Sequence, residues 1–370
     1  LTAELQSHKK AALPYYASLF QEDLKTWSLR DDYYLSYAEA LEGLKMFEQS
    51  VPVWRKIASF KDSKHREFAL LKMVEALKVL GKTVEAQLAY EDYLREFSNV
   101  ENQTYVQFEL VKLYLGAKKF KQAESLLLKM IAEEKSAEMK ASYQSYLARH
   151  YYDRGQYGAC TAGFSKIEST YFTIGDQILA AYAHLQLGQQ AQALKLWNRA
   201  FLKKPKKMDV VADKDYLFIA NLLYENEYQY SAKFLYGFLS SRKSAVAIEG
   251  YLGLLRYANA ESDLKKAGSL IKALDKLALD NDQRAVYLSL RSEEAYGRKA
   301  YAEVLEFAEE AERLNFVQQE DNARALYYFA LALEQKGNLK QAQRYSNRLF
   351  MIFKENTYSA KAMFLSIRLY

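Results

Sequence analysis

The chain is poor in the residues that punctuate or cross-link small folds. It has one cysteine, three prolines and fourteen glycines in 370 residues. The lone Cys160 cannot form an intramolecular disulfide, so no disulfide framework holds the fold, and cysteine usage selects no compartment. So few prolines and glycines cannot supply the turns of an all-β protein. No stretch approaches the roughly 18 consecutive apolar residues of a membrane-spanning helix. A first residue Leu1 in place of methionine is expected of a processed or trimmed form, and it bears on export in neither direction.

Chemistry-bearing patterns are equally scarce. The four histidines, His8, His65, His150 and His184, stand in separate stretches without an HExxH pattern or a partner at i+4. One cysteine cannot complete a zinc ligand set. There is no GxxxxGK[ST], GxGxxG or GxSxG. The sequence therefore predicts no catalytic residues, no metal and no cofactor, and the chain reads as a non-enzyme.

Half of the residues are apolar and 26% are charged, with 31 tyrosines. Alanine, leucine, lysine, glutamate and glutamine fill the long segments, and all are good helix formers. Helix is expected for more than about 70% of the chain, with no sheet. Breaks recur inside the helical pattern, as in "LQLGQQAQALKLWNRA" (Leu185 to Ala200) and "LEQKGNLKQAQRYSNRL" (Leu333 to Leu349). After Gly188, Ala193, Trp197 and Ala200 share one helical stripe, a small residue followed by apolar residues four and seven positions on. The glycine suits the left-handed backbone that ends a helix, and the small residue lets two helices approach closely.

The same frame fits other stretches. Phe47, Ser50, Trp54 and Ile57 fill it, as do Gly81, Ala86, Tyr90 and Tyr93, and then Phe120, Ala123, Leu127 and Met130. Tyr157, Cys160, Phe164 and Ile167 follow, then Tyr228, Ser231, Leu235 and Phe238, and Leu264, Ala267, Ile271 and Leu274. Tyr301, Val304, Ala308 and Ala311 precede Leu339, Ala342, Ser346 and Leu349. The units start at Asp31, Glu67, Thr104, Ala141, Ile174, Ala212, Ile248, Ala285 and Ala323. Ala86, Ala123, Cys160, Ala193, Ala267 and Ala342 are expected to be buried between paired helices.

This pattern resembles the tetratricopeptide repeat family, whose unit is a helix-turn-helix of 34 residues. The steps here, about 36–37 residues, are longer, and only Pro205 occupies the terminal proline place. The resemblance covers residues 31–357, about nine repeats. It implies an all-α solenoid of stacked antiparallel helix pairs, a right-handed superhelix. Residues 358–370 read as a C-terminal capping helix. Residues 1–30 read as an N-terminal helix that fits half of an earlier repeat, with "PYYASLFQEDLKTW" (Pro14 to Trp27) carrying proline in its first turn. In the family, residues on the inner side of each first helix line a concave groove. The resemblance places Phe108, Lys112, Arg149, Tyr152, Tyr182, Tyr216, Arg256 and Tyr327 there. Aromatics interleaved with cations suit a peptide segment or an amphipathic helix. The lysine-asparagine clamp by which some members grip a C-terminal carboxylate has no counterpart at Leu35 and Glu39, Leu71 and Glu75, or Ile178 and Tyr182.

The net charge of +6 raises a second reading, a basic superhelix binding nucleic acid or another polyanion. The one dense cluster, "RAFLKKPKK" (Arg199 to Lys207), lies at a repeat junction, and the other cations are mixed with acids. A phosphate-tracking protein carries them along one groove. The favoured reading is a non-catalytic scaffold that binds protein partners. Loops such as "IESTYFTIGDQI" (Ile167 to Ile178) resemble those of bacterial envelope repeat proteins, which points to an exported bacterial scaffold.

Overall fold

The computed structural model describes residues 2–20, 29–97, 102–206, 208, 210–314, 319–353 and 356–369. The chain is all-α, with 79% of its residues in helix and no strand among the described residues. It divides into two compact units, Leu1–Arg154 with Ala162–Tyr171, and Gly155–Thr161 with Phe172–Tyr370.

Unit 1 contains α1 (Thr2–Phe20), α2 (Arg30–Gly43), α3 (Phe47–Ser59), α4 (Arg66–Val79), α5 (Thr83–Glu96), α6 (Gln103–Gly116), α7 (Phe120–Glu133) and α8 (Ala137–Asp153). The division falls within α9 (Tyr157–Phe164). Unit 2 contains α10 (Ile174–Gln186), α11 (Gln190–Leu202), α12 (Asp213–Glu225), α13 (Gln229–Ser240), α14 (Val246–Ala260), α15 (Leu264–Leu274), α16 (Asn281–Gly297), α17 (Tyr301–Arg313), α18 (Gln319–Gln335), α19 (Leu339–Ile352) and α20 (Thr357–Arg368). Within each unit consecutive helices pack on one another as stacked pairs.

The turn inside each pair is one motif repeated. A single residue takes the left-handed conformation: Lys45, Gly81, Lys118, Gly155, Gly188, Glu227, Ser262, Lys299 and Gly337. In the turns other than that of Gly155, the residue after it donates its N–H back across the turn, as from Met46 to Leu41 O and from Asn338 to Leu333 O, both 2.9 Å. These six-to-one bonds satisfy carbonyls that the ending helix leaves open. Four turns use glycine, which adopts this backbone without steric cost. The lysine at 118 has φ 58° and a Cβ that crowds its own carbonyl. Lys118→Gly is therefore expected to stabilise unit 1 by about 0.5–1 kcal/mol, read as a raised urea midpoint.

Counted from the turn residue, the second helix of each pair buries positions +5, +9 and +12. The anchor at +5 is small in every pair but one, where the buried Val304 follows Lys299. Ser50, Ala86, Ala123, Cys160, Ala193, Ala267 and Ala342 are all fully buried, as expected from the spacing. At +9, Trp54 and Trp197 are fully buried and Tyr90 is 1% exposed. Burying one such ring removes roughly 150–250 Å² from water, about 4–6 kcal/mol of transfer free energy. The high tyrosine count is mostly packing. Tyr34, Tyr93, Tyr216 and Tyr236 are all at or below 1% exposure.

One pair departs from the expected register. In α13 the buried stripe is Ala232, Tyr236 and Leu239. The sequence frame had placed Ser231, Leu235 and Phe238 there. Ser231 and Leu235 are buried, but Phe238 stands at the edge of the core. The left-handed residue of this turn is Glu227, so no glycine marks it, and Tyr228 imitates the aromatic that follows other turns. A slip of one residue turns a helix by about 100°.

The repeat length also has a local cause. The shortest spacing between turn residues, Gly155 to Gly188, contains the eight-residue α9. First helices α16 and α18 reach 17 residues, which lengthens their repeats beyond the family unit.

The N-terminal helix differs from expectation in where it starts. Pro14 lies inside α1 rather than in its first turn, because "KKAAL" before it (Lys9–Leu13) is strongly helix-forming. The C-terminal end of the expected segment, Gln21 to Trp27, lies outside the described residues. Helix α1 packs on α2 through aromatics. Tyr16 stacks on Tyr37 at 5.5 Å, and Phe20 meets Tyr34 edge-on at 6.0 Å. The helix expected at the C-terminus is present as α20, packed on α18 and α19.

Candidate functional site

The turn residue also gives a frame for the first helices. Six residues before it, on α2, α4, α6 and α8, stand Glu39, Glu75, Lys112 and Arg149, all exposed. In α10, α12, α14, α16 and α18 the same place holds Tyr182, Asn221, Arg256, Glu293 and Leu331. Of the groove residues expected from the sequence, Lys112, Arg149, Tyr182 and Arg256 fall on this row.

In unit 1 the row is backed by aromatics. Phe108 is half-buried and lies 5.0 Å from Tyr146 and 5.7 Å from Tyr143. The Lys112 ammonium lies 5.0 Å from the Phe108 ring centroid. Lys112 also hydrogen-bonds Glu109, which receives Lys78 on its other oxygen. Burial alone would raise the Glu109 pKa, but the hydrogen bonds from Lys112 and Lys78 outweigh it and hold the carboxyl ionised below its usual range. Lys72 pairs with Glu75 at 2.8 Å. Tyr152 is half-buried at the end of α8.

In unit 2 the expected residues are more deeply engaged. Tyr182 packs edge-on against Trp197 at 5.1 Å and donates its hydroxyl to Asp215 O at 3.3 Å. Tyr327 sits among Tyr328 and Tyr358, at 5.4 and 5.7 Å. Arg256 is ion-paired to the buried Asp321 at 3.2 Å. Tyr216 is fully buried between Phe201 and Phe238, so its assignment to an accessible groove is corrected. The cause is the register slip found in α13. Tyr216 lies eleven residues before its turn residue Glu227, whereas Phe108 and Tyr327 lie ten before theirs. The exposed member of the row in α12 is Asn221, which the sequence frame missed.

No group of three potential metal ligands among His, Cys, Asp and Glu converges among the described residues. Cys160 is buried and in no disulfide. No described helix is long and apolar enough to cross a membrane.

His150 is buried in α8, 5.3 Å from the Phe120 ring, and its Nε2 has no hydrogen-bond partner. Burial, with the nearby Arg154 charge, lowers its pKa below the usual histidine value of 6.5. The unfolded chain then binds the proton more readily than the folded one. The neutral ring's contribution is complete above the unfolded pKa and is lost as pH falls below it. The stability advantage of His150→Phe over the native chain should therefore grow between pH 7 and pH 5, measured by urea denaturation across that range.

No protein-family model matches the sequence, and no curated protein does. Solved structures with similar folds include a Naa15/Naa10 complex bound to HypK-THB, at 12% identity and TM-score 0.49, matching 99% of this chain and 59% of that one. Yeast Tom70 matches at 12% identity and TM-score 0.36, over 98% of this chain and 92% of that one. A tetratricopeptide repeat protein from Parabacteroides merdae matches at 11% identity and TM-score 0.37, over 81% and 98%. The chain thus spans about three-fifths of the Naa15/Naa10-complex chain it matches. Its own helix pairs, left-handed turns and small anchors define a tetratricopeptide-like all-α fold.

Proposed function

We propose that the chain is a non-catalytic scaffold that holds a segment of a protein partner along the exposed face of its first helices. The observation that carries this reading is the row Glu39, Glu75, Lys112 and Arg149, one exposed charged residue per repeat in register across unit 1. The row changes sign midway, so it favours a segment whose charge also changes sign, acidic against Lys112 and Arg149, basic against Glu39 and Glu75. Phe108 and Tyr146 beside it offer an apolar contact for an anchor side chain. A row that is half acidic suits a nucleic-acid backbone poorly, because a phosphate chain meets repulsion at Glu39 and Glu75. The resemblance of the loops to those of bacterial envelope repeat proteins supports an exported complex as the scaffold's setting.

The test is photo-crosslinking in the source cells. A benzoylphenylalanine at position 112 or 149 should trap a discrete protein, and one at Arg95 on the second helix α5 should not. Arg149→Glu introduced with the crosslinker at 112 should reduce the trapped product about tenfold while the melting temperature stays within about 2 °C. Crosslinking from position 95 alone, or trapping indifferent to the charge reversal, would defeat the assignment.

A further inference from the structure

We propose that unit 2 carries a second binding site, a pocket between α13 and α14 for an apolar carboxylate, a ligand with one flat apolar body and one anionic head. The pocket encloses about 710 Å³, within the range of about 300–1,000 Å³ typical of small-molecule sites. Its walls are aromatic: Tyr230, Phe234 and Phe238 from α13, and Tyr257 from α14. Phe238 is the residue that the one-residue register difference moves from the helix contact to this wall.

The rim is cationic. Lys204, Lys233 and Lys266 stand against one carboxylate, Glu261. Lys233 already pairs with Glu261 and lies 5.5 Å from the Tyr257 ring. Lys204 lies 5.0 Å from the Tyr230 ring. Among the described residues, Lys204 and Lys266 form no ion pair. Two positive charges therefore remain for an incoming anion, above walls that exclude water from an apolar body. The cluster Arg199 to Lys207 reaches this rim through Lys204.

Gly237 faces the same space. It lies in the interior of α13, on the stripe opposite the buried Ala232, Tyr236 and Leu239. A Cβ built there meets nothing within 4 Å. A larger side chain at 237 would enter the pocket without touching the core, and glycine leaves it open although it weakens the helix.

The experiment is calorimetric titration of the intact chain with 2-naphthoate at low salt, alongside its neutral isostere 2-naphthamide. Naphthoate should bind at one saturable site, and naphthamide about fivefold more weakly. Gly237→Leu should abolish naphthoate binding, with circular dichroism confirming an unchanged fold. Lys204→Glu with Lys266→Glu changes an exposed and a half-buried side chain of the rim and should weaken naphthoate about tenfold, which keeps the test independent of any packing change at 237. No saturable binding to the native chain, equal affinity for naphthamide, or undiminished binding by Gly237→Leu each overturns the proposal. Failure here leaves the first-helix row untouched, because that row lies in unit 1.

Discussion

Asp321→Ala is expected to destabilise the chain by about 3–5 kcal/mol, the effect of stranding a buried charge. Arg324 on α18 has a side chain only 4% exposed. Its Nη1 hydrogen-bonds the Asp321 carboxylate, and its Nε donates to the Tyr358 hydroxyl on α20 at 3.0 Å. Ser289 on α16 donates to the same Asp321 oxygen at 3.4 Å, and Arg256 on α14 reaches the other at 3.2 Å. The carboxylate thus joins α14, α16 and α18, and Arg324 carries the network on to α20. Without Asp321, the guanidinium loses its nearest carboxylate, and Tyr358, Ser289 at 3.4 Å and the more distant Glu293 at 3.6 Å offset only part of the lost hydration. The cost belongs to the orphaned charge rather than to the pair. Asp321→Leu combined with Arg324→Met should therefore be less destabilised than Asp321→Ala alone. A urea double-mutant cycle measures both. A loss below about 1 kcal/mol for Asp321→Ala would show that water or Glu293 compensates the charge.

This network could not be read from one sequence. Asp321 and Arg256 are 65 residues apart, and their meeting requires that successive first helices lie side by side. The sequence frame assigns Arg256 to a groove as a free cation, whereas the structure pairs it with the buried Asp321. What the periodicity cannot carry is the identity of the residue facing it from two repeats away. The repeat itself was legible wherever a small residue was followed by apolar residues four and seven positions on. That spacing held the frame at Lys45, Lys118, Ser262 and Lys299, although none of these turns has glycine at its left-handed position. It failed at Glu227, where Ser231 and Ala232 are adjacent small residues and both are fully buried. Either fits the contact, and the aromatic Tyr228 favoured the wrong one. That single slip accounts for the misplacement of both Tyr216 and Phe238.

Substitution of glycine by alanine should have opposite signs on the two helices that form the pocket. In a helix interior the change ordinarily stabilises by about 1 kcal/mol, because alanine loses less backbone freedom on folding. Gly237 on α13 is free to show this gain, since a Cβ there meets nothing within 4 Å. Gly250 on α14 is not. A Cβ there would lie 2.5 Å from Ser240 N and 2.8 Å from Tyr236 O, both main-chain atoms of α13. Backbone cannot rotate aside as a side chain can, so α13 and α14 must separate. Separation loosens the contact where Gly253 lies face-on to the Tyr236 ring, its Cβ position only 2.4 Å from a ring carbon. Overpacking of this kind costs about 1–3 kcal/mol and occasionally more, which exceeds the propensity gain. Gly250→Ala should therefore lower the urea midpoint, and Gly237→Ala should raise it. Equal stabilisation by both would mean that the close approach of α13 and α14 is not required by the fold, and that the pocket walls built on that approach can move.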